Sequence, residues 1–209
     1  MSQSSALQTA AEEDQRGRIL DAAWSVFMEI GYGGASTAEI ARRARVSKRD
    51  LYARFGSKRG IVAALVSARA ARMQAPLRQS GALTRDQLAA TLRGFGAAVL
   101  REASQPGVLA LYRLAISEAG RDTGVAEVLD SVGRGSNRAA LAILLADAQR
   151  RGLVGIAKPN VMASHFLALL WDDLFSRLLL GIARAPSPSE ANRRARDATK
   201  ALLRLYPAD

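Results

Sequence analysis

The chain has 209 residues, 49% of them hydrophobic, which is material for one large domain or for a small domain joined to a larger one. Its 30 Lys and Arg outnumber 19 Asp and Glu, giving a net charge of +11, which predicts attraction to phosphate or another polyanion and says nothing about fold. The absence of cysteine excludes disulfides and thiolate metal sites, and a single histidine leaves no spaced set of ligands for a metal.

The opening residues, MSQSSALQTAAEED, lack the basic-then-apolar order of a secretory signal, so residues 1–14 are expected to form a flexible arm and the protein to be cytoplasmic. Ile19, Ala22, Ala23, Val26, Phe27 and Ile30 follow the spacing of one helical face and predict a first helix from about 15 to 30, stopped by Gly31. Ser36-Thr37-Ala38-Glu39 reads as a capping box: the serine accepts from a free backbone amide while the glutamate reaches back. It opens a short helix to Ala44. Ser47-Lys48-Arg49-Asp50 repeats the device for a third helix to about Phe55, and Ser57 starts a long fourth helix through Met73.

Gly81 and Thr84 punctuate the next start, and helices are predicted near 84–103, 107–119, 123–131, 134–152, 159–183 and 188–205. Gly133 to Gly135 reads as a break. The apolar run 161–183 contains His165, Asp172, Asp173 and Arg177. Each central charge would cost about 2.5–3.5 kcal/mol in a bilayer, so this run is read as a buried helix and no membrane partner is expected. No segment reads as a strand. The fold class is all-α: a flexible arm 1–14, a three-helix helix-turn-helix domain 15–60, and a larger helical domain 61–209.

Between positions 37 and 60, Arg42, Arg43, Arg45, Lys48, Arg49, Arg54, Lys58 and Arg59 face only Glu39 and Asp50. Ile40, Ala41, Val46, Leu51 and Phe55 can close a small core over the first helix, which points the third helix's N-terminus outward. Free amides and the helix dipole favour phosphate there. Ser47, Lys48 and Arg49 stand at that end within reach of base edges, and an arginine bidentate to guanine contributes about 1–3 kcal/mol of discrimination. Tyr52 lies one turn on, suited to phosphate or a thymine methyl. Ser36, Thr37, Arg42, Arg54 and Lys58 complete the candidate DNA-binding set. Taken singly, a basic helix is an ordinary solvated face and a capping box is commonplace; the order of the elements is what carries the reading.

That order, GYGGASTAEIARRARVSKRDLYARFGSKRGIV, resembles the DNA-binding domain of TetR-family transcriptional regulators over residues 15–65. The resemblance implies phosphate contact from Ser36 and Thr37, a recognition helix carrying Ser47, Lys48, Arg49 and Tyr52, and a phosphate-binding Lys58. Three positions depart from the family pattern. Arg45 stands where glycine is usual in the turn, Arg54 where histidine is frequent, and Ala53 where an aromatic or polar residue is frequent; together they leave base preference open.

The resemblance further implies that residues 61–209 form a dimerisation and ligand-binding domain. Independently, 161–183 is apolar nearly all round and must be buried on most sides. Residues 188–205 carry Ala191, Ala195, Ala198, Leu202 and Leu205 on one face and Arg193, Arg196, Lys200 and Arg204 on another. The last two helices of each subunit are therefore expected to form a homodimer interface. Phe95, Tyr112, Arg113, Ile116, His165, Trp171, Asp172 and Phe175 are candidate pocket residues for an unknown small-molecule effector, against the ordinary reading that large residues at helical spacing are core. Asp173 and Arg177 can simply pair four residues apart. Gly94-x-Gly96 and Gly133-x-Gly135 follow no strand and are not phosphate loops.

The expected function is a sequence-specific DNA-binding transcriptional regulator, a dimeric repressor released from a pseudo-palindromic operator by its effector. The alternative is an architectural or chromosome-organising DNA-binding protein without an inducer. An enzyme is disfavoured, because the adjacent Asp172 and Asp173 diverge by about 100° on a helix and make no carboxylate pair. No cofactor and no metal are expected.

Overall fold

The computed structural model describes residues 2–79 and 84–208, and Gly81 lies outside them. Helices α1 (Ser2–Gly34), α2 (Thr37–Ala44), α3 (Lys48–Phe55) and α4 (Lys58–Gln74) come first. A 3-10 turn at Ala75–Gln79 follows, then α5 (Arg85–Ala103), α6 (Pro106–Glu118) and α7 (Gly124–Val128). A π-helical turn, Leu129–Gly135, joins α7 directly to α8 (Ser136–Arg150), and α9 (Pro159–Trp171), α10 (Leu174–Leu179) and α11 (Pro188–Leu205) complete the chain. Among the described residues there is no strand, and no helix is long and apolar enough to cross a membrane.

Local chemistry sets most of these boundaries. Ser36, Ser47 and Ser57 cap α2, α3 and α4 by accepting from the amides of Glu39, Asp50 and Gly60. Full capping boxes form at Thr84–Gln87 and Ser187–Glu190, where each partner also accepts from the other's backbone. The expected box at Ser36 is half made, because the Glu39 carboxylate is taken by Arg42 and Arg43 instead. At α3, Asp50 likewise accepts the Ser47 hydroxyl rather than a backbone amide.

Three expectations change. The first helix begins at Ser2, so the stretch read as an arm continues it, while the stop at Gly31 survives as a non-helical residue (φ 72°, ψ 167°) that glycine accommodates. The break read at Gly133–Gly135 is a π turn inside a continuing helix. The single helix read over 159–183 is two, because Asp172 adopts φ 47°, ψ −127° and turns the chain between α9 and α10.

Two apolar cores result. In the first, Ile19, Val26, Ile40, Leu51 and Ile61 bury α1 to α4 against one another, and Leu111 and Ala115 of α6 and Leu129 close it from above. The second joins α5, α8, α9 and α11 through Leu92, Phe95, Leu145, Phe166, Ala195 and Leu202. A Cβ on Gly96 would lie 3.1 Å from the Ala195 Cβ and 3.2 Å from the Phe166 ring, so the missing side chain lets α5 sit directly on α9 and α11. Helix α4 serves both cores, burying Ile61, Val62, Leu65 and Val66 in the first and Met73 in the second.

Candidate nucleic-acid interface and internal cavity

The cap at Ser47 fixes how α3 meets its surroundings. Ser47 Oγ accepts from the Asp50 amide at 3.0 Å and donates to Asp50 Oδ2 at 2.7 Å, which turns the Asp50 carboxylate back on the cap. Lys48 and Arg49 are left exposed on the first turn with no partner among the described residues. Tyr52, 47% exposed, shares a 3.0 Å hydrogen bond with Thr37 Oγ1 and so braces α3 against α2 while keeping its ring at the surface.

The cationic count read from the sequence divides sharply in space. Arg42 grips Glu39 through two hydrogen bonds of 2.9 and 2.7 Å. Arg43 donates to Glu39 at 2.8 Å and to Glu29 at 2.6 Å, tying α2 to α1. The guanidinium groups of Arg42 and Arg43 hold the Glu39 carboxyl down to about 2, and Arg43, with help from the Ser25 hydroxyl, lowers Glu29. Arg54 donates to the Gln15 side chain at 2.7 Å. Of the remaining cations, Arg45, Lys48 and Arg49 gather at the α2–α3 turn and Arg59 lies on the first turn of α4, all exposed and without such a partner among the described residues.

Lys58 departs most from expectation. Its ammonium points inward, donating to the carbonyls of Tyr32 at 2.8 Å and Ala35 at 3.0 Å, and it lies 4.2 Å over the Tyr32 ring. Partial burial lowers its pKa. Two of its three donors therefore hold the α1–α2 turn, leaving one for a phosphate.

Arg45 adopts a left-handed conformation, φ 55° and ψ 46°, as the C-cap of α2. The turn position where glycine is usual thus has the backbone that glycine favours, held here by an arginine whose side chain has no partner among the described residues.

A cavity of about 420 Å³ lies between the two cores. Trp24 of α1, Val66 and Arg69 of α4, Tyr112 of α6, Trp171 of α9, Phe175 of α10 and Gly133 of the π turn are among the residues that line it. Tyr112 meets Phe175 edge-on with centroids 5.0 Å apart, and Trp171 leans on Phe175 at 5.0 Å. Arg69 lies 4.1 Å over Trp24 and pairs with Glu102 at 3.2 Å, its pKa lowered chiefly by burial.

Four expected pocket residues, Tyr112, Trp171, Asp172 and Phe175, line this cavity. The other four do not. Phe95 is fully buried against Phe166, with centroids 6.2 Å apart. Arg113 donates to the carbonyls of Leu179 at 2.9 Å and Leu178 at 2.8 Å, satisfying the end of α10. Ile116 is 62% exposed on the outer face of α6. His165 shares a 2.7 Å hydrogen bond with the Tyr206 hydroxyl and borders a shallow groove between α9 and α11 instead. Trp24, Arg69 and Asn137 were missed; Trp24's signal was a large aromatic off the main apolar stripe of α1.

Comparison with known proteins gives this arrangement its relatives. Residues 19–65 match the family described as bacterial regulatory proteins, tetR family, and residues 90–208 match the AefR-like transcriptional repressor C-terminal domain. The uncharacterized HTH-type transcriptional regulator YvkB of Bacillus subtilis is 39% identical over 72 residues, which are 34% of this chain and 38% of that protein. The HTH-type transcriptional activator FasR of Mycolicibacterium smegmatis is 38% identical over 74 residues, 35% of this chain and 34% of that protein. The chain thus matches only about a third of the length of these curated relatives. A crystal structure of a TetR transcriptional regulator from Agrobacterium tumefaciens is 30% identical, with a TM-score of 0.75, over 91% of this chain and 94% of that one. The helical helix-turn-helix architecture and these matches agree: the chain belongs to the TetR family of transcriptional regulators.

Proposed function

We propose that the chain acts as a homodimeric repressor that binds a pseudo-palindromic DNA operator and is released from it by a small-molecule effector. One observation carries the DNA reading: Lys48 and Arg49 stand exposed and unpaired on the capped first turn of α3, while the nearby carboxylates of Glu39 and Asp50 are engaged elsewhere. A helix N-terminus with two free cations suits phosphate and the guanine edge. One such helix reads few bases, so specificity calls for two, spaced about 34–36 Å by a two-fold axis. Val161, Leu169 and Leu205 are 42%, 43% and 55% exposed on α9 and α11, which favours those helices as the homodimer interface.

Effector release draws support from the cavity, whose walls include residues of α1, α4, α6 and α9. A ligand that favours one spacing of those walls shifts α4, and with it α3. Coupling of about 1–3 kcal/mol would weaken operator binding 5–150-fold.

Selection of bound sites from random duplex DNA, followed by a salt titration, tests the reading. A two-fold-related motif is expected, with log affinity falling steeply against log salt. Arg49→Ala should change the selected motif. Recovery of no motif, with binding to random duplexes undiminished, would point to an architectural DNA binder instead. Light scattering after size exclusion should give a dimer at micromolar concentration.

A further inference from the structure

The cavity's chemistry narrows what can fill it. Its volume of about 420 Å³ falls in the range of sites that enclose molecules of drug size. Its one deep charge, Arg69, is already matched by Glu102 and covered by the Trp24 face. A carboxylate ligand would have to displace Glu102, and a cationic ligand would face Arg69 without compensation; burying either charge unpaired is costly. The other four charged lining residues are exposed: Asp130 and Arg134 stand 3.9 Å apart, and Arg138 and Asp172 add one further charge of each sign, so the rim is balanced overall.

The neutral polar groups are equally informative. Asn137 is largely engaged: one amide hydrogen goes to Met73 Sδ at 3.0 Å and its carbonyl accepts from Gln74 at 3.1 Å. The Tyr112 hydroxyl stands on the wall with no hydrogen-bond partner among the described residues, as do the Trp24 and Trp171 indole N–H groups and the exposed Ser176 hydroxyl; every one of these can donate, and burial keeps Tyr112 protonated. Around it, Phe175 and Trp171 present edges and faces that suit a stacked or edge-on ring, and Trp24 adds a third aromatic to the lining.

We propose that the ligand of this cavity is a neutral, flat aromatic molecule bearing an oxygen acceptor, its rings against Trp171 and Phe175 and its acceptor on the Tyr112 hydroxyl. This rests on the effector reading above and names the chemical class of that effector.

Both tryptophans of the chain, Trp24 and Trp171, line the cavity, so intrinsic fluorescence reports occupancy directly. Calorimetry and tryptophan quenching on the full-length protein would compare 2-acetylnaphthalene with 2-naphthoate, 2-naphthylmethylammonium, decanoate and the acceptor-free 2-isopropylnaphthalene. The ketone is expected to bind at least about tenfold more tightly than either charged naphthalene or decanoate. Tyr112→Phe should weaken the ketone by about five- to tenfold and leave the hydrocarbon unmoved. Tighter binding of naphthoate or decanoate than of the ketone overturns the proposal. So does a ketone-to-hydrocarbon ratio unchanged by Tyr112→Phe, and so does absence of ketone binding.

Operator affinity measured beside these titrations separates the two claims. If decanoate or naphthoate binds and releases DNA, the aromatic class is wrong and the effector reading stands. If the ketone binds as expected and operator affinity does not change, the ligand class stands and effector release is wrong.

Discussion

Replacing Arg45 by glycine should make the protein more stable. The residue holds φ 55° and ψ 46°, and no side-chain partner among the described residues would be lost with the arginine. A left-handed conformation costs an L-residue about 1–2 kcal/mol, and glycine gives back about 0.5–1 kcal/mol through its freer unfolded chain. The net gain is about 1 kcal/mol, or roughly 2–4 °C in Tm for a chain of this length. Arg45→Ala removes the same side chain but keeps the backbone penalty, so it should melt within about 0.5 kcal/mol of the parent. Thermal denaturation followed by circular dichroism, all three proteins at one concentration, decides the matter. If Arg45→Gly melts no higher than Arg45→Ala, the turn is not strained and the reasoning fails. The gain should come with weaker DNA binding, since one of the three free cations at the α2–α3 turn is removed.

Lys58→Met should lower stability by about 1.5–3 kcal/mol in urea unfolding, because the carbonyls of Tyr32 and Ala35 lose a charged donor; unchanged stability with weakened DNA binding would show that the ammonium serves phosphate instead. Acid should erode stability through Glu39, Glu29, Asp147 and Glu190, all lowered in the folded state. Their contribution is complete above the ordinary carboxylate range near 4.5 and is lost as pH falls, reaching about 2 for Glu39. Glu39→Gln should therefore flatten the fall in urea midpoint between neutral pH and that limit; a fall parallel to the parent's would contradict the assignment. Gly96→Ala should cost about 1–3 kcal/mol by pushing α5 off α11, measured by the same unfolding, and a neutral result would mean that the packing there is loose.

What the sequence disclosed follows the range of the forces involved. Ser36, Ser47, Ser57, Thr84 and Ser187 cap helices through amides three residues away, so each start was legible locally. The α9–α10 break was hidden because apolar residues continue on both sides of Asp172, and periodicity carries no mark of a turn between two buried helices. Arg43 was counted as a free cation because its partner Glu29 lies on α1, and only the crossing of α1 and α2 brings them together. Lys58 was read toward DNA for the same reason: the carbonyls it reaches belong to a turn more than twenty residues earlier. In the cavity, Phe95 and Trp171 looked alike in the sequence, since both are aromatics on apolar helices. Which of them faces a void depends on how α5 closes on α11, a packing outcome set by small residues such as Gly96.

The π turn at Leu129–Gly135 leaves the helix from α7 to α8 carrying one residue more than a regular α-helical path would need. Elsewhere in such a helix, losing a residue rotates everything downstream by about 100° and shifts it about 1.5 Å, which would drag Asn137 and Leu141 off their neighbours. Between Leu129 and Gly135 the surplus absorbs that loss: a chain shortened there closes into ordinary helix while α8 keeps its seat. Length variation is thus cheap within this one turn and expensive on either side of it.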